Sequence, residues 1–124
     1  MICGIGVDMT TVDRFGKWID NPQMIDRFFN TEEKTRNPNS NFQMQHYAAR
    51  FAAKEAFGKA LGTGITDFNL CDVYIKNEAN GKPVLIVTGT AQKALQKIYG
   101  DCNLHVSLSH ERNNAIAVVI IEKK

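Results

Sequence analysis

Residues 50–64 read Arg50-Phe51-Ala52-Ala53-Lys54-Glu55-Ala56-Phe57-Gly58-Lys59-Ala60-Leu61-Gly62-Thr63-Gly64. They close a proline-free, alanine-rich run, Phe42–Leu61, and Gly62 stands where a helix stop belongs. The run is predicted to be one long helix. Ala49, Ala52, Ala53, Ala56 and Ala60 recur at helical spacing as a stripe of very small side chains, so the helix can approach a sheet or another helix closely. Charges set among alanines and phenylalanines have little solvated face to occupy, which marks Arg50, Lys54, Glu55 and Lys59 as candidates for assigned work. Glu55 and Lys59 also fit the common surface pair four residues apart, contributing about 0.3 kcal/mol.

Toward the N terminus, residues 2–9 alternate small and branched side chains, Ile5 and Val7 against Gly4 and Gly6, and read as a strand bare on one face. Thr11–Ile19 is expected to be helical with Thr10 or Thr11 as its cap. Asn21-Pro22 breaks it, and Gln23–Phe29 restarts a turn or two. Thr31–Arg36 is expected to be short and helical, and Asn37–Asn41 a loop. Toward the C terminus, Leu70–Lys76 and Pro83–Thr88 read as strands around the turn Asn80-Gly81-Lys82-Pro83. Thr90–Tyr99 reads as a helix, then Leu104–Ser109 and Ala115–Glu122 as strands. The order predicts an α+β fold, a mainly antiparallel sheet packed against one long helix and shorter helices, in a single domain over residues 1–124. Ala115–Ile121 is apolar throughout, so both its faces are expected to be covered, either by the chain's own helices or, the reading favoured here, one of them by a second subunit.

The chain has 124 residues, 44% hydrophobic and 23% charged, with a net charge of +2. That mixture excludes wholesale disorder, and the small basic excess falls short of a nucleic-acid-binding footprint. No run approaches the length of a membrane span. The first residues lack a signal peptide's basic region, and Cys3, Cys71 and Cys102 form no CxxC pair and read as reduced thiols, so a cytoplasmic protein is expected.

Asp8 ends the first strand, where a carboxylate can be held rigidly for a hard cation; it also suits a turn or helix cap. Gly62-Thr63-Gly64 and Gly81-Lys82-Pro83 let backbone amides approach a phosphate or adenine, although neither is a Walker loop or a dinucleotide fingerprint. His105, Ser107 and Ser109 share one strand face and offer a ligand surface. His105 and His110 project to opposite faces, which argues against zinc, and no GxSxG surrounds either serine. His46 reads as a helix-surface residue.

Gly4-Ile5-Gly6-Val7-Asp8 followed by Arg14, the 50–64 block, Asn80-Gly81-Lys82-Pro83 and His105-Val106-Ser107-Leu108-Ser109-His110 stand in the order found in the holo-acyl-carrier-protein synthases, which this chain resembles over nearly its whole length. The resemblance implies a phosphopantetheinyl-transferase-like fold, transfer of 4′-phosphopantetheine from coenzyme A to a serine of an acyl carrier protein, and a homotrimer with active sites between subunits. It implies that Asp8 and Glu55 hold Mg²⁺, and that Arg50, Lys54, Lys59, Gly62, Thr63, Gly64, Gly81, Lys82, Pro83, His105, Ser107 and Ser109 contact coenzyme A. The chemistry asks for a group at the serine proton and another at the leaving phosphate, for which Glu55 and Lys59 are the candidates. The acidic carrier is expected to dock on Arg14, Lys17, Met24, Ile25, Arg27 and Phe28, although Asp13, Asp20 and Asp26 dilute that basic surface. The competing readings are a Mg²⁺-dependent phosphodiesterase or nuclease and a non-catalytic coenzyme-binding subunit.

Overall fold

A computed structural model describes all residues, Met1–Lys124. Strand β1 (Ile2–Thr11) leads through a 3-10 turn (Val12–Phe15) into two short helices, α1 (Gly16–Ile19) and α2 (Pro22–Phe28). A second 3-10 turn (Thr31–Glu33) precedes the long helix α3 (Ser40–Leu61). A third (Leu70–Asp72) introduces the hairpin of β2 (Val73–Asn77) and β3 (Pro83–Val87). Helix α4 (Gly89–Ile98) and a second hairpin, β4 (Cys102–His110) with β5 (Asn114–Lys123), complete the chain. Strand β5 lies between β1 and β4 in a three-stranded antiparallel sheet, and β2 pairs only with β3.

Helix α3 begins where the Asn39 side chain accepts the Phe42 N–H, and it ends at Gly62, whose φ of +86° places it in the left-handed region. It is enclosed on nearly every side. Ala49, Ala52, Ala53, Ala56 and Ala60 are all buried, as the small-residue stripe predicts. Strand β1 meets that stripe through glycine: a Cβ on Gly6 would stand 1.9 Å from the Ala56 carbonyl oxygen, and one on Gly4 2.1 Å from that of Ala60. Strand and helix therefore touch backbone to backbone, which fixes the depth of Asp8, the next residue on that face. On another flank Phe51 packs against Phe15, Trp18, Phe28 and Phe29, pinning α1 and α2 to the helix.

Several expectations shift in detail. The Thr11–Ile19 segment divides into a 3-10 turn and a four-residue helix, and neither threonine caps it: Thr11 makes no side-chain cap bond and Thr10 is buried, accepting from Arg14. The 31–36 helix shrinks to Thr31–Glu33. Strand β2 starts at Val73, not Leu70, because Asp72 is drawn away: its carboxylate accepts from the Thr90 N–H and hydroxyl at the start of α4. Strand β5 is covered on one face only. Ala115, Ala117, Val119 and Ile121 are buried under α3, whereas Ile116, Val118 and Ile120 share the other face with Ile5, Val7 and Met9 of β1, which are exposed.

Candidate active site

Asp8 and Glu55 come together where β1 passes α3; Asp8 does not end the strand as expected but is paired with Ala117 within it, since β1 runs on to Thr11 against β5. Asp8 Oδ1 accepts from Lys59 Nζ at 3.0 Å, and the same ammonium donates to the Val7 carbonyl at 3.1 Å. The Asp8 side chain is 11% exposed and that of Lys59 55%, so an anchored acid lies under a cation that reaches solvent. Glu55 is half-buried. Burial, then the negative charge of Asp8, pushes its carboxyl above the usual carboxylate range, while Arg14 and Lys59 pull it back. Arg14 thus stands beside the acids, its guanidinium lying over the Phe51 ring with 5.1 Å to the centroid. Two neighbouring acids, on rigid elements and reachable from solvent, suit one hard divalent cation completed by waters or phosphate oxygens.

A cleft of about 430 Å³ opens further along α3, and Arg50, Asn77, Gly81, Pro83 and His110 are among the residues lining it. Arg50 Nη1 donates to the His46 carbonyl at 3.3 Å, while its Nε is buried without a partner. Burial holds the guanidinium below its ordinary pKa, and an anion in the cleft would favour its charged form. Lys82 stands exposed in the adjoining turn, where its N–H donates to Asn80 Oδ1.

His46 and His110 also line this cleft. His46 is not the surface residue expected: its Nε2 meets the Glu33 carbonyl, and burial followed by the Arg50 charge lowers its pKa to about 4. The spacing of Arg50 and His46, one helical turn apart, was the available signal for that placement.

Other expected site residues are placed elsewhere. Lys54 was expected to touch coenzyme A, but its side chain is 1% exposed and bonded to Glu33 and to the Leu70 and Val73 carbonyls. No surface of it remains for a ligand. In the Gly62-Thr63-Gly64 turn the three N–H groups all donate to the Gly58 carbonyl, at 3.1, 3.2 and 3.1 Å, so they form no outward phosphate cradle. His105, Ser107 and Ser109 sit in register with Ile5, Val7 and Met9 across β5, on the open face of the sheet and opposite Asp8. Among the expected carrier contacts, Arg14, Lys17 and Arg27 are exposed and Met24 and Phe28 half-buried, but Ile25 faces inward into the hydrophobic core. Glu33 carries a buried charge that the sequence reading passed over, although the Asn30…Glu33 capping-box spacing marks it as structured.

A family model described as the 4′-phosphopantetheinyl transferase superfamily matches residues 4–119. A holo-[acyl-carrier-protein] synthase of Treponema denticola is 45% identical over 98% of this chain and 99% of its own length, and one of Treponema pallidum is 44% identical over 98% and 97%. Among solved structures, a Bacillus anthracis holo-(acyl-carrier-protein) synthase in complex with CoA (3′,5′-ADP) superposes with a TM-score of 0.81 at 31% identity, covering 100% of this chain and 99% of that one. A Plasmodium yoelii holo-ACP-synthase gives 0.84 at 28%, covering 100% and 97%. The four motifs, the fold and these full-length likenesses agree, and the chain belongs to the 4′-phosphopantetheinyl transferase superfamily.

Proposed function

We infer that the whole chain acts as one transferase domain that moves 4′-phosphopantetheine from coenzyme A to a serine of an apo acyl carrier protein, releasing adenosine 3′,5′-bisphosphate. The observation that carries this is the junction of β1 and α3, where Asp8, Glu55 and Lys59 converge. The Arg50 cleft supports it with a cationic wall for a phosphate. A phosphodiesterase and a non-catalytic binding subunit are not favoured by the relatives described above, which are named as synthases.

Asp8 and Glu55 would hold Mg²⁺, which when bound would neutralise the diphosphate and polarise the attacked phosphorus. The remaining work falls to side chains. The carrier serine hydroxyl is a weak nucleophile at its own pKa, and Glu55, half-buried beside Asp8, is the candidate to accept its proton. The new bond joins the serine oxygen to the β-phosphorus of coenzyme A, and the bond to the adenosine bisphosphate oxygen breaks. Lys59 has three donors; Val7 and Asp8 take two, which leaves one for charge growing on the leaving phosphate.

The two faces of the sheet support a site shared between subunits. Asp8 and Glu55 lie on the α3 side, and His105, Ser107 and Ser109 on the open side. One chain holds the two sets on opposite sides of its sheet, and a site shared between subunits would take the second set from a neighbouring chain. The family resemblance implies a homotrimer, and we propose that assembly, with sites shared between subunits.

Incubation with apo carrier, coenzyme A and Mg²⁺, followed by intact-mass spectrometry, tests the reaction. A phosphopantetheine-sized gain on the carrier is expected. An unmodified carrier with hydrolysed coenzyme or nucleic acid would overturn it in favour of a phosphodiesterase.

A further inference from the structure

Strand β2 has a strand partner on one edge only. On the other edge its backbone is met by two side chains. Lys54 Nζ donates to the Val73 carbonyl, and Glu33 Oε2 accepts from the Ile75 N–H at 3.1 Å. These two groups flank Tyr74, as the partners of a neighbouring strand would. Lys54 and Glu33 are joined at 2.7 Å, and both are about 1% exposed or less. Their remaining capacity is filled: Lys54 donates to the Leu70 carbonyl at 2.9 Å, and Glu33 Oε1 accepts from the Asn30 N–H at 3.1 Å. The Phe29 ring covers the ammonium, 5.2 Å away. Thus one ion pair stands in for a missing strand and ties the Asn30–Glu33 segment, α3, the 3-10 turn at Leu70–Asp72 and β2 together.

The location gives the pair a consequence for the coenzyme cleft. Lys54 lies one helical turn from Arg50, which forms one wall. Strand β2 runs from Val73 and Ile75 to Asn77, which with Gly81 and Pro83 forms the opposite wall. We propose that the buried Glu33–Lys54 pair is a positioning device that sets the spacing between Arg50 and the Asn77–Pro83 turn, and so governs coenzyme affinity without touching the coenzyme. The proposal rests on the coenzyme reading above. The Asp8–Glu55 acids are held by a different contact, Gly6 against Ala56, so the pair should affect coenzyme binding separately from the metal.

Glu33→Gln is the informative variant. It keeps the shape of the side chain but offers one acceptor oxygen where Glu33 uses two. The KM for coenzyme A should rise about tenfold, as for groups that orient a ligand-contacting residue, with kcat and the half-saturating Mg²⁺ concentration unchanged. A merely stabilising role would lower the folded fraction and leave KM untouched. Lys54→Met, measured in parallel, should show the same split. An unchanged KM in either folded variant, or a parallel shift in the Mg²⁺ requirement, overturns the proposal. Hydrogen exchange gives a readout independent of turnover. In the native protein the Ile75 amide should exchange as slowly as amides inside the β2–β3 ladder, and Glu33→Gln should speed exchange over residues 73–83 while β1 and β5 stay protected. Fast exchange at Ile75 in the native protein overturns the proposal even if neither variant folds. Absence of transfer by the native protein, with these exchange results intact, would refute the coenzyme reading and leave the pair's hold on β2 established.

Discussion

Asp8 is held by Lys59 and Lys59 by two oxygens of β1, so neither charge is free to wander. Replacing Lys59 with alanine should lower kcat by about 10²–10³, the range for removing a donor aimed at developing charge, with little change in the KM for coenzyme A; steady-state kinetics with a saturating carrier check this. His46 gives a second test at the same scale. Its folded pKa of about 4 lies below the ordinary 6.5, so as pH falls through that window the unfolded chain takes up a proton that the folded chain refuses. Stability should therefore be full above pH 6.5 and decline toward pH 4, by about 3 kcal/mol for a shift of this size. Urea unfolding across that range, compared with His46→Gln, which should flatten the decline, measures it. Single residues were legible where their neighbours in sequence constrain them. The 50–64 block drew attention to Arg50, Glu55 and Lys59, and the strand end to Asp8. The structural role of Lys54 is not legible in the sequence because its partners Glu33, Leu70 and Val73 lie 16 to 21 residues away, beyond any local pattern.

At the scale of elements, the contact between β1 and α3 decides the site. The sequence shows a glycine pair on one element and an alanine stripe on another, and the structure sets each against the other within backbone contact. Gly6→Ala must push the strand off the helix, since its Cβ would stand 1.9 Å from the Ala56 oxygen. A stability loss of about 1–3 kcal/mol is expected from overpacking of this kind. A larger Mg²⁺ requirement should accompany it, because Asp8 moves with the strand; denaturant titration and Mg²⁺-dependent activity read the two effects. Strands and helices with a clear period and a clear stop were legible. The 3-10 turn at Leu70–Asp72 was not, because the Asp72 side chain answers to Thr90 on another element. The inward folding of the Gly62–Gly64 amides onto Gly58 was equally invisible, since a glycine-rich turn reads alike whether its N–H groups face a ligand or the preceding helix.

The whole molecule leaves one sheet face uncovered, with Ile5, Val7, Met9 and Ile116 exposed beside His105, Ser107 and Ser109. An apolar patch of this kind marks an association surface. Val7→Asp should give a folded monomer by light scattering and remove turnover, because the proposed shared site is then broken; an active monomer would contradict the assembly. The uniformly apolar Ala115–Ile121 strand raised in sequence the expectation that both faces are covered, but one chain's pattern does not say which residues a neighbour would bring. The most direct test of the central claim concerns Asp8 and Glu55, 47 positions apart in the chain yet sharing one electrostatic neighbourhood. Mg²⁺ should be titrated calorimetrically into the protein saturated with coenzyme A, for the native chain, Asp8→Asn and Glu55→Gln. The expected result is one ion bound per chain in the native protein and none in either folded variant. Binding at native affinity in either variant would contradict the shared acid pair.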